Sequence, residues 1–79
     1  MTRYTLADLA IGQAATIVEV CGEDIGTSRR LLDLGLTPGA QVQLIRRAPL
    51  LDPIICRVAG YELALRRVQA RCVRVDALS

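Results

Sequence analysis

Short runs of alternating apolar and polar side chains, broken by glycine and proline, dominate this chain. The clearest run has Val42 and Leu44 alternating with Gln41 and Gln43, the period of a strand with one face buried. Ile54, Cys56 and Val58 alternate with Ile55 and Arg57, and Ala59-Gly60 turns the chain into Tyr61, Leu63 and Leu65, the next inward face. Val73 and Val75 alternate with Cys72, Arg74 and Asp76. In residues 14–20 apolar side chains fall on both parities, with Ala15 and Ile17 on one and Val18 and Val20 on the other. That strand is either buried on both faces or bent.

Helical spacing is confined to three places. Leu6 and Leu9 are one turn apart in an opening segment that Gly12 closes. After the polar, glycine-containing connection Cys21–Gly26, Thr27 or Ser28 is suited to cap a helix running to about Leu34. Gly35 suits the left-handed position just past its end. About eight residues are too few for a stable isolated helix, so Leu31, Leu32 and Leu34 must dock on something larger. Arg66 to Ala70 has room for one further helical turn.

The connections are equally marked. Thr37-Pro38-Gly39 is a turn in which proline fixes φ and glycine permits positive φ. Ala48-Pro49-Leu50-Leu51-Asp52-Pro53 is a loop between strands, because two prolines cannot belong to a paired ladder. Five short strands and one helix inserted after the first of them give a mainly β domain, a small barrel or strongly curled sheet spanning residues 1–79.

Composition narrows the function. The two tyrosines are the only aromatics, so the core is aliphatic. There is no histidine and every basic residue is arginine, which removes the commonest general acids and bases. An enzyme is not expected. Cys21, Cys56 and Cys72 form no CxxC pair and have no histidine to complete a zinc set, so no metal site or cofactor is expected either. Their odd number and wide spacing fit a reducing compartment. No apolar run approaches the ~18–20 residues of a membrane helix, Asp8 interrupts the apolar region a signal sequence needs, and no cleavage pattern follows. The expected location is the cytoplasm.

Two features suggest contact with another macromolecule. Adjacent arginines at Arg29-Arg30, Arg46-Arg47 and Arg66-Arg67 are candidates for a basic patch, above all the first two pairs. A net charge of only +2 and the lack of stacking aromatics argue against nucleic acid. A small nucleic-acid-binding barrel using the arginine pairs stays as an alternative. So does a divalent-metal site using acids such as Glu19, Glu23 and Asp24. The second feature is apolar: Leu50, Leu51 and Ile55 fall in or beside the proline-bounded loop, where polar residues belong.

Three stretches in register carry a resemblance: Arg30-Leu31-Leu32-Asp33-Leu34-Gly35-Leu36-Thr37-Pro38-Gly39, Arg47-Ala48-Pro49-Leu50-Leu51-Asp52-Pro53-Ile54 and Gly60-Tyr61-Glu62-Leu63-Ala64-Leu65-Arg66-Arg67. Together they resemble the ferrous iron transport protein A family, FeoA, over Leu6 to Val75. The resemblance implies an SH3-like barrel with a helical insertion and an accessory or regulatory role in bacterial ferrous iron uptake. The implied partner is FeoB, a large membrane protein with a cytosolic GTPase domain. The expected contact surface is the helix end (Leu34, Leu36, Pro38) together with the proline loop (Pro49, Leu50, Leu51, Ile55). The family usually carries glycine where this chain has Leu51, so the loop is expected either to adopt a different turn or to bear strain, and Leu51 adds apolar surface. Binding of PxxP peptides is not expected of an SH3-like barrel without an aromatic groove.

Overall fold

The computed structural model describes residues 4–20 and 25–77. Strands β1 (Tyr4–Thr5), β2 (Ala14–Val20), β3 (Gln41–Arg47), β4 (Ile54–Val58), β5 (Tyr61–Leu65) and β6 (Val73–Ala77) form one antiparallel sheet. Their order is β1-β6-β2-β3-β4-β5. Helix α1 (Ile25–Asp33) is inserted between β2 and β3, and the one-turn α2 (Arg67–Ala70) between β5 and β6. The strand that composition alone does not reveal is β1, whose two residues are too few to alternate; it pairs with β6 through Tyr4↔Val75 and Thr5↔Arg74.

Alternation places the core. Ile54, Cys56 and Val58 of β4 and Val42 and Leu44 of β3 are buried, as are Val73 and Val75 of β6. They meet Leu6, Leu9, Leu31 and Leu65 in one aliphatic cluster, and among the described residues no polar or charged side chain is buried. Tyr61 departs from the expected inward face of β5: it opens the strand and stays half exposed, while Leu65 is fully buried.

The double-parity strand is bent. Ala15 and Ile17 are buried, Val18 faces out, and the β2–β6 register shifts between Ile17 and Glu19. A bulge consumes the extra residue and curls the sheet. A second shift, between Leu44 and Arg46 in the β3–β4 pair, bends β3 in the same manner.

Helix α1 begins earlier than expected, so Thr27 and Ser28 lie inside it and not at its cap. Its C-terminus matches the expectation. Gly35 has φ +97°, its N–H donates to the Leu32 carbonyl (3.0 Å), and the Leu36 N–H reaches back to Leu31 (3.2 Å). This paired closure satisfies carbonyls the helix leaves open and turns Leu36 inward, where it is fully buried.

Candidate interaction surface

The loop between β3 and β4 is held from three sides. The Ala48 N–H donates to the Pro53 carbonyl at 2.9 Å, closing the loop on itself. Arg47, immediately before it, sends its guanidinium to the Leu9 carbonyl. Asp52 accepts the Arg67 N–H at 3.0 Å through Oδ1, fixing the loop against the start of α2. Pro49 opens a short 3-10 turn over Pro49–Leu51, and the Asp52–Pro53 peptide is cis.

Leu50 stands at the tip. Its φ of 68° and ψ of 14° lie in the left-handed region, which a leucine occupies only at a cost of roughly 1 kcal/mol or more. Its side chain is 95% exposed. The left-handed residue is therefore Leu50, one position before Leu51, where the resemblance leads one to expect a changed turn or strain. An apolar side chain is displayed to solvent by a strained backbone and a braced loop.

The contact residues expected from sequence do not come together. Leu34 is half-buried beside the β4–β5 turn, where an added Cβ at the next residue, Gly35, would meet the Tyr61 hydroxyl at 3.2 Å and the Ala59 Cβ at 3.9 Å. Pro38 is exposed before Gly39, whose N–H donates to the Ile17 carbonyl of β2. Pro49 and Leu50 are exposed at the other end of β4, with half-buried Ile55 next to the loop. Five residues of strand separate the two ends by about 14 Å. Leu36 must be withdrawn as a contact residue, because the helix closure puts it in the core. The side chain of Leu51 lies outside what the structure describes.

The arginine pairs divide in the same way. Arg29 and Arg30 are exposed on α1, whose C-terminus is at the helix end of the barrel. Arg46 lies 3.7 Å from Glu62, which also bonds Arg57 at 2.9 Å. Exposed pairs of this kind contribute little to stability. Arg47 is engaged with the Leu9 carbonyl, so it braces the loop. These four arginines do not make one patch.

Two exposed residues at the loop end escaped the sequence reading. Ile11 is 62% exposed and Val68 64% exposed. Ile11 sits in the segment that follows β3 toward the loop: the Gly12 N–H donates to Leu44 and the Leu44 N–H to Gln13 (3.0 Å). Val68 is in α2, where Ala70 takes the buried position and Val68 the outward one. An apolar residue between Arg67 and Gln69, on a turn whose inward place is already filled, is the signal that would have found it.

Chemically reactive groups are scarce. Burial pushes the Cys56 thiol up from 9.0 to about 11, which keeps it protonated and unreactive. Cys72 is half-buried with its Sγ against the Val68 carbonyl. Cys21, Glu23 and Asp24 lie outside the described residues, and Glu19 bonds Arg74. Among the described residues no three cysteine or carboxylate side chains gather into a metal-binding group. A shallow groove of about 360 Å³ on the outside of β2–β4, lined by Ala14, Gln41, Gln43, Arg57 and Gly60, offers amides and one ion-paired arginine and no nucleophile. No helix among the described residues is long and apolar enough to cross a membrane.

The family model of the FeoA domain matches residues 4–77. The chain belongs to the FeoA family. A curated relative from Porphyromonas gingivalis (strain ATCC BAA-308 / W83) is an Fe(2+) transport protein A/Fe(2+) transporter FeoB fusion protein. It is 34% identical over 74 residues, which cover 94% of this chain and 9% of the relative. This FeoA chain thus spans less than a tenth of that protein's length. The solution structure of FeoA from Chlorobium tepidum is 37% identical, with a TM-score of 0.88 over 96% of this chain and 71% of that one. The zinc complex of Stenotrophomonas maltophilia FeoA, a prokaryotic SH3 domain protein, is 29% identical, with a TM-score of 0.83 over 92% of this chain and 89% of that one. The mainly β, SH3-like architecture read from the sequence is the FeoA fold, and the family is linked to ferrous iron transport.

Proposed function

We propose that this chain is a cytoplasmic accessory protein of bacterial ferrous iron uptake that binds the membrane transporter FeoB on its cytosolic side. It acts by contact and carries out no reaction of its own. The observation that carries this reading is the Porphyromonas gingivalis relative, in which a homologous domain and FeoB share one polypeptide. Fusion raises the effective concentration of one part around the other, an advantage only where the two engage each other. The surface described above adds support: a braced loop displaying Leu50 is suited to docking.

The test is binding to purified full-length FeoB from the same organism, measured without nucleotide, with GDP and with a non-hydrolysable GTP analogue. Saturable binding in at least one state is expected. A difference between states assigns a regulatory role, and equal binding in all three assigns assembly. Absence of binding in every state refutes the reading.

A further inference from the structure

Three of the most exposed apolar side chains, Ile11, Leu50 and Val68, stand on three different segments brought to one end of the barrel. Their convergence follows from the hydrogen bonds already described. Arg47, at the foot of the proline loop, holds the Leu9 carbonyl two residues before Ile11. Asp52, two residues past Leu50, holds the N–H of Arg67, the residue before Val68. Ladder pairing of Ile54 with Leu65 brings the end of β5, and hence α2, alongside the loop.

Charge surrounds this apolar group. Arg66 and Arg71 are exposed on either side of Val68, with Arg71 three residues on and so on the same face of the turn. Arg46, near the end of β3, is exposed but lies 3.7 Å from Glu62 of β5, so the rim is carried by Arg66 and Arg71. Asp52, the acid nearest the loop tip, already accepts a backbone hydrogen bond. The end of the barrel is thus an apolar centre with an arginine rim, the layout of a protein contact with a desolvated core and a polar margin.

The geometry points to this end of the barrel, centred on Leu50 with Ile11 and Val68 and rimmed by Arg66 and Arg71, as the surface that docks FeoB. The matching site is an apolar recess with acidic residues at its edge, on the cytosolic part of the transporter. The inference rests on the proposed binding of FeoB and adds where it occurs. A protein occupant is favoured over a lipid surface because the loop is pre-set. Leu50 is held by a left-handed backbone and three braces, and such fixed placement serves a shaped recess, whereas a fluid bilayer interface does not require it. The inference also separates the two ends of the barrel: Pro38, Leu34 and the arginines of α1 fall outside the contact.

The experiment compares full-length chains carrying Leu50→Asp, Val68→Asp or Ile11→Asp with Leu32→Asp and Arg29→Glu, which alter exposed positions on α1. Each is checked for wild-type circular dichroism and melting before its affinity for purified FeoB is measured. Each loop-end change is expected to weaken binding at least tenfold. Arg66→Glu and Arg71→Glu should weaken it several-fold and flatten its salt dependence, and the two α1 changes should leave it within twofold. FeoB binding that survives Leu50→Asp and Val68→Asp, or that fails in the α1 variants instead, overturns this surface while leaving FeoB as the partner. Failure of the wild-type chain to bind FeoB overturns both. Vesicles of phosphatidylglycerol and phosphatidylcholine form a parallel arm. Binding to them that is lost in Leu50→Asp, with FeoB binding unchanged, assigns the surface to lipid and overturns the inference.

Discussion

The Tyr61 hydroxyl donates a hydrogen bond to the carbonyl oxygen of Leu34, fastening the inserted helix to the start of β5. Leu34 follows the last residue of α1, where carbonyls lack intrahelical partners, so a tyrosine from another element completes the helix end. Tyr61→Phe keeps the ring and loses the bond. Its expected cost is about 1 kcal/mol, a fall in Tm of roughly 4–8 °C for a domain of this size. Because the pair joins α1 to the barrel, hydrogen exchange in α1 should accelerate more than exchange in β3 or β4.

Gly35 lies under the same hydroxyl with φ +97°. Gly35→Ala meets two obstacles, a backbone conformation that alanine rarely adopts and a Cβ 3.2 Å from the Tyr61 oxygen. Thermal melting should show a loss above ~1 kcal/mol, larger than that of Tyr61→Phe, because the strain cannot be relieved by water. In the double variant with Tyr61→Phe the two losses should fall short of additive.

Leu36 offers a sharper distinction between contact and core. As a fully buried residue just past the helix closure, it should destabilise the fold by about 2–5 kcal/mol on mutation to alanine. Chemical denaturation reads this directly. A Leu36→Ala chain as stable as wild type would return Leu36 to the surface.

Leu50 should behave in the opposite way. Its side chain makes little contact and its backbone is left-handed, a conformation asparagine accepts more readily. Leu50→Asn is expected to raise stability by about 0.5–1 kcal/mol, read as a higher Tm, while weakening any contact that uses the loop tip. A drop in Tm would mean that leucine is held there by packing.

Cys56 gives the fold a pH dependence. The buried thiol titrates near 11 in the folded chain, against 9.0 for an ordinary thiol. Its protonated form therefore contributes stability that is fully present below about pH 9 and is lost as pH rises toward 11. The loss is on the order of 2 kcal/mol. Denaturation at pH 8 and 10.5 should show it in wild type, and Cys56→Ala should show a smaller difference between the two.

The barrel was legible because its strands alternate cleanly: one inward face each for β3, β4 and β6 followed from period two alone. Gly35 announced the helix end for a backbone reason that sequence states directly. The contact surface was legible in part. Leu50 stood out as an apolar residue in a proline loop, whereas Leu36 follows the helix-ending glycine, a position that often packs back on its helix, and a closing pair of hydrogen bonds turns it inward. Ile11 and Val68 were passed over because each is a lone apolar residue in a short turn. The Arg47–Leu9 and Asp52–Arg67 bonds, with the Ile54–Leu65 pairing, bring them to the loop. Adjacent arginines likewise look equivalent in sequence, yet Arg47 braces a loop while Arg29 faces solvent.

The most direct test of the account is uptake of radiolabelled ferrous iron by cells of the source organism lacking this chain, lacking FeoB, or lacking both. The account expects uptake to fall without this chain, to recover with the wild-type gene and not with Leu50→Asp, and to fall no further when this chain is removed from cells already lacking FeoB. Uptake that is unchanged without this chain, or that falls equally whether or not FeoB is present, would contradict it.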